Sequence, residues 1–117
     1  MYRIIKNKNC YEILINNDIC GSCSFIFPDH DPEIVYILWL GITETHRGKG
    51  YGSILLCEVL MDAYHNHHMK RVSLDDVTSR CHQQNNIYVK LGLVYKPGFD
   101  NSMVGNLRHI LYGRRYH

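Results

Sequence analysis

Residues Glu44–Leu56 read ETHRGKGYGSILL, with three glycines at alternate positions, two strong cations and then an apolar run at helical spacing. Just upstream, Ile34–Ile42 (IVYILWLGI) is a nearly unbroken apolar run that suits a central strand buried on both faces. Downstream, Leu56, Val59, Leu60, Ala63 and Tyr64 recur at three and four residues, which predicts a helix of roughly four turns with one buried face. A buried strand, a glycine-rich turn and a helix N-terminus form a phosphate-binding arrangement, because unpaired backbone N–H groups and the helix dipole converge on one point. Spacing excludes two familiar loops of this kind. A P-loop needs a hydroxyl residue after its lysine, and Lys49 is followed by Gly50. A dinucleotide fingerprint needs a glycine three residues after Gly50, where Ser53 stands.

The remaining chain supplies strands and a second helix. Tyr11–Ile15 and Ile19–Phe27 favour β-structure around Asn16-Asn17-Asp18, a turn composition, and read as a hairpin. Residues 1–6 add an edge strand, and residues 28–32 break the pattern with two prolines. Arg71–Leu74 follows the first helix as a strand, which implies a crossover to a parallel neighbour. Gln84, Ile87, Tyr88 and Leu91 share a helical face; Thr78 or Ser79 can cap its start, and Gly92 sits where a left-handed stop is needed. Leu93–Lys96 and Arg108–Tyr112 close the chain as strands around the loop PGFDNSMVGN. The predicted architecture is one α/β (α+β) domain over residues 1–117, a mixed sheet in the order β-β-β-β-α-β-α-β-β.

Composition narrows the partners. A net charge of +2 is too slight to argue for nucleic acid, and the paired Arg114 and Arg115 read as a solvated tail. No stretch is long and apolar enough to span a bilayer, and the N-terminus lacks the pattern of a secretory signal, so a cytoplasmic location is expected. Five cysteines without framework spacing fit reduced thiols. Cys20 and Cys23 have C-x-x-C spacing but lie in a strand-like run, and His65, His67 and His68 crowd a helix end; no metal is expected.

One spacing does match. Arg47, Gly50 and Gly52 give R-x-x-G-x-G within RGKGYG, and Tyr88–Leu93 (YVKLGL) gives Y-x-x-x-G-[FL] about 40 residues later. The chain thereby resembles the GNAT acetyltransferase superfamily over residues 35–95. The resemblance implies acetyl-CoA as cosubstrate. Leu40 and Ile42 would pair through their main chain with the pantetheine arm where the strand splays. Backbone N–H groups of Arg47, Gly48, Lys49, Gly50, Gly52 and Ser53 would hold the pyrophosphate, with the charges of Arg47 and Lys49 at the rim. Tyr88 would stand near the thioester sulfur.

Amine attack on a thioester requires a base, an oxyanion donor and an acid for the departing thiolate. The resemblance gives the last role to Tyr88 and the second to the N–H near Leu40. Many family members carry a glutamate on the central strand, but Tyr36–Leu40 holds no carboxylate. The candidates are Asp75 and Asp76 at the next strand end, of which adjacent geometry lets one reach the site, or a water relay through Tyr36. The family asparagine seven residues before the tyrosine is Cys81 here, with Asn85 and Asn86 out of register. The usual early helix pair is also missing, so the acceptor pocket should be shallow or completed by a second subunit, and a homodimer would cover exposed strand edges. Asp29, Asp31, Glu33, Asp75 and Asp76 together suggest an acidic rim for a small amine, a polyamine or a protein lysine. The leading function is N-acetyl transfer in a ternary complex, and the alternative is a non-catalytic acyl-CoA-binding module.

Overall fold

Four N-terminal strands zigzag across the sheet before the first helix. In the computed structural model, which describes residues 1–113, β1 (Tyr2–Lys6), β2 (Cys10–Ile15), β3 (Asp18–Ile26) and β4 (Ile34–Ile42) pair antiparallel in sequence order. The paired arginines Arg114 and Arg115 lie outside the described residues. Asn16 and Asn17 both take positive φ, 53° and 71°, which matches the right-handed twist of a tight hairpin. After β4 come α1 (Tyr51–Asn66), β5 (Arg71–Asp75), α2 (Ile87–Leu91), β6 (Val94–Tyr95), β7 (Ser102–Asn106) and α3 (Leu107–Tyr112). The sheet order is β1-β2-β3-β4-β5-β7-β6, and β4 to β5 is its parallel step, made by the α1 crossover.

α1 buries Leu55, Leu56, Val59, Leu60 and Ala63. They meet the alternate side chains Ile13, Cys23, Phe25, Val35 and Ile37 in the main core. The other face stays open: Glu12, Ser22, Ser24 and Tyr36 are half-buried. β1 and β2 are joined by residues 7–9, leaving no room for an early helix pair.

Three expectations need correction. β4 is central but not buried on both faces, because its second half presents Leu38 and Trp39 to solvent. Arg108–Tyr112 is not a strand. Asn106 accepts a hydrogen bond from the His109 N–H at 2.9 Å and starts α3, whose Leu107 and Ile110 are buried three residues apart. The last strand is instead Ser102–Asn106, inside the expected loop, and it pairs antiparallel with β5. Third, α2 is capped by neither Thr78 nor Ser79. The Asn86 carboxamide oxygen accepts from the N–H groups of Tyr88 (2.7 Å) and Val89 (3.4 Å). Gly92 ends the helix left-handed, φ 104°, as its position predicts.

Asn86 is almost fully buried, and its amide also donates to Asp76 at 2.7 Å. Asn86→Ala should therefore remove a helix cap and one of the donors to a buried carboxylate together. The expected destabilisation is ~3 kcal/mol, read from urea unfolding.

Candidate functional site

The glycine-rich turn works through its backbone. Gly48 and Gly50 take φ of +78° and +86°, where a side chain is strained, and a Cβ at either would meet nothing within 4 Å. The space beside the turn is thus open, and the left-handed Gly50 caps α1 with no side-chain bond. The first-turn N–H groups after it have no intrahelical acceptor, and the first turn carries no acidic residue. Arg47 braces the turn by donating from Nε to the Ile42 carbonyl at 2.9 Å. The hollow here measures about 260 Å³, and the expected Ile42, Arg47, Gly48, Gly50, Gly52 and Ser53 line it. Lys49 is exposed on the turn and does not line it. Sequence reasoning missed its opposite wall, Asn85, Ile87 and Lys90, because only the fold brings α2 against α1's N-terminus. A second hollow shares Arg47, Gly48 and Lys90 and extends to Arg80.

β4 and β5 part after four pairs, Ile34↔Arg71 to Ile37↔Leu74. On the β3 side, Ile37 pairs with Phe25 and Trp39 with Ser24, so Leu38 is an extra, bulged residue. Beyond the parting lies a cleft of about 210 Å³ lined by Ile37, Leu40, Leu74, Asp75 and Tyr88 among others. The strand-edge wedge expected near Leu40 is therefore present. Tyr88 is buried, and burial pushes its phenol up to about 12, the nearby Asp76 carboxylate adding to the shift.

Asp75 and Asp76 face different ways, as adjacent residues on a strand must. Asp75 Oδ2 accepts from the Tyr36 hydroxyl at 2.6 Å and Oδ1 from the Ser102 hydroxyl at 2.7 Å. The Tyr36 hydrogen bond first, then Ser102 and the charge of Lys96, hold its carboxyl below the usual range. The same bond raises Tyr36 to about 12. Asp76 is 2% exposed and accepts four internal hydrogen bonds, from the Thr78 N–H and hydroxyl, the Asn86 amide and the Tyr95 hydroxyl. Burial raises its carboxyl, but these donors together outweigh burial and hold it low. The structure thus brings Asp75 to the cleft and turns Asp76 into the support beneath it.

The acidic rim does not assemble. Asp31 and Glu33 precede β4 at the far end of the sheet, where Arg71 meets Asp31 at 2.7 Å and Lys70 meets Glu33 at 2.9 Å. Among the described residues no two cysteines are joined by a disulfide, and no three His, Cys, Asp or Glu side chains converge as metal ligands. Among the described residues no helix is long and apolar enough to cross a membrane.

Residues 2–93 match the model of the acetyltransferase (GNAT) family. No curated protein sequence matches the chain. Among solved structures, Ard1 from Thermoplasma volcanium is 18% identical with a TM-score of 0.70, covering 84% of this chain and 70% of its own. N-acetylglutamate synthase from Neisseria gonorrhoeae, solved with coenzyme A and N-acetyl-glutamate, is 11% identical with a TM-score of 0.68, over 89% of this chain and 29% of its own. The AtaT-AtaR complex bound to DNA gives 15% and 0.72, over 92% and 72%. At such identities the likeness is one of fold.

The turn yields a direct test. Gly50→Asp adds strain at φ +86° and a negative charge at the mouth of the hollow, so coenzyme A affinity measured by calorimetry should fall at least ~100-fold. Retained affinity would remove the turn from the binding site.

Proposed function

The chain belongs to the GNAT acetyltransferase family, and on that premise we propose that it moves the acetyl group of acetyl-CoA onto a primary amine by direct attack in a ternary complex. The observation that carries this reading is the parting of β4 and β5 beside a left-handed glycine turn, with a buried tyrosine in the cleft. The open space at Gly48 and Gly50, and the cations Arg47, Arg80 and Lys90 around the adjoining hollows, fit a pyrophosphate and nucleotide. Leu40 and Ile42 offer a strand edge to the pantetheine arm.

Asp75 is the carboxylate available to the acceptor. Its two hydrogen bonds keep it ionised, so it attracts an ammonium and orients it towards the cleft rather than retaining the proton. The amine loses that proton through solvent at this open edge. Its nitrogen then forms a bond to the thioester carbon as the C–S bond breaks. Tyr88 stays protonated at a pKa of about 12 and donates a hydrogen bond to the leaving sulfur. Complete transfer from such a phenol to a thiolate of pKa roughly 8.5 runs uphill, so hydrogen-bond donation is its role, and the amine's second proton leaves the thiol neutral. Asp76 and Asn86 act through position, holding α2 and hence Tyr88 against the cleft.

Thiol release from acetyl-CoA against a panel of amines, with coenzyme A affinity in parallel, tests the reading. Tyr88→Phe should lower kcat by ~100-fold while coenzyme A affinity holds. With Tyr88 at about 12, kcat/KM should rise as the amine deprotonates and show no fall up to about pH 10. Tight coenzyme A binding without release for any amine would favour the acyl-CoA-binding module instead.

A further inference from the structure

The acceptor side of the cleft has an unusual lining for a site that receives an ammonium. Trp39 lies on the open face of β4, its indole folded along its own strand. A Cβ on Gly41 would come within 2.8 Å of Trp39 Cζ2 and 2.9 Å of Nε1, so the glycine leaves room for the ring to lie flat. The residue is nevertheless 58% exposed. The bulged Leu38 beside it is 54% exposed, and Val77, on the segment after β5, is 78% exposed. All three line the same cleft as Asp75 and Tyr88. Single exposed apolar side chains are ordinary on a protein surface, but three around the mouth of one cleft form a contact surface.

The charges at this mouth are few. Among the described residues Asp75 is the one carboxylate that lines it, and Lys96 is near enough to act on that carboxylate. The acids that could have made a polyanionic rim are at the other end of the sheet, held by Lys70 and Arg71. A polycation would therefore meet one anion, a competing cation and an apolar wall.

Resting on the N-acetyltransferase reading above, we infer that the acceptor is a monocationic primary amine joined to an apolar, aromatic-bearing body. Asp75 receives the ammonium, and the indole of Trp39, with Leu38 and Val77, covers the body. Free arylalkylamines and peptide N-termini with an aromatic first side chain share this chemistry. Polyamines and the solvated lysine side chain do not. Transfer balances without another reactant: the C–N bond forms, the C–S bond breaks, and one amine proton ends on the thiol while the extra ammonium proton goes to solvent.

The experiment is acetyl-CoA turnover by the full chain with phenethylamine, phenylalanine amide, spermidine and Nα-acetyl-lysine amide. The first two separate a free amine from a peptide-like one. At least one of them should exceed both others in kcat/KM by tenfold or more. Trp39→Ala should erase that preference by raising KM for the aromatic amine, leaving coenzyme A affinity unchanged, and Trp39→Phe should restore much of it. A preference for spermidine or the lysine amide, or an aromatic preference that survives Trp39→Ala, overturns the inference. If nothing is acetylated, the transferase reading fails, and the acceptor class is read separately from binding. Trp39 is the protein's single tryptophan, so its fluorescence reports on this surface directly. Saturable change with phenethylamine but not spermidine in the coenzyme A-loaded chain supports the class; the reverse, or no change with either aromatic amine, overturns it.

Discussion

The site hangs on one buried carboxylate. Asp76 has left solvent at the end of β5, and an unpaired charge there would be untenable, so the surroundings supply four donors. Those donors come from three separate places: the turn after β5, the cap of α2 and strand β6. Satisfying one charge therefore ties together the segments that flank the cleft. Its own N–H adds a further tie, donating to the Asn101 carbonyl at 2.8 Å just before β7. β5 stays paired with β7 through Asp75 beside the point where β4 bulges at Leu38, and the pairing of the two parallel strands ends there.

Asn86 carries the constraint onward. One end of its carboxamide meets Asp76, and the other caps a helix of only five residues. Such a short helix would not persist on backbone bonds alone. Its position is set by the cap, and with it the position of Tyr88. The residue next to Asp76 in sequence has the opposite fate: Asp75 stays at the surface, held by hydroxyls rather than buried donors. One strand end thus yields a supporting acid and an available acid from two adjacent aspartates.

The open face of the sheet explains the remainder. Without a helix pair between β1 and β2, Tyr36 and Trp39 look outward, where a fully covered sheet would have buried them. The apolar run Ile34–Ile42 is therefore half core and half contact surface. Hydrophobicity alone does not separate these two uses, because the bulge at Leu38 changes which side chains face α1 after Ile37.

What was legible in the sequence is what local chemistry dictates. The glycine turn, the Asn-Asn hairpin, the α1 periodicity and the Gly92 stop are each decided by residues within a few positions of one another. So were the two motifs that carried the family resemblance. Tertiary structure alone decided the rest. Ser102–Asn106 became a strand because β5 offered it an edge, and Arg108–Tyr112 became a helix because Leu107 and Ile110 reached the core. The division of labour between Asp75 and Asp76, the Asn86 hub, the dispersal of the acidic rim and the exposure of Trp39 depend on pairings across ten or more residues. Their energies are those of desolvation and shared donors, which exist only once distant segments have met.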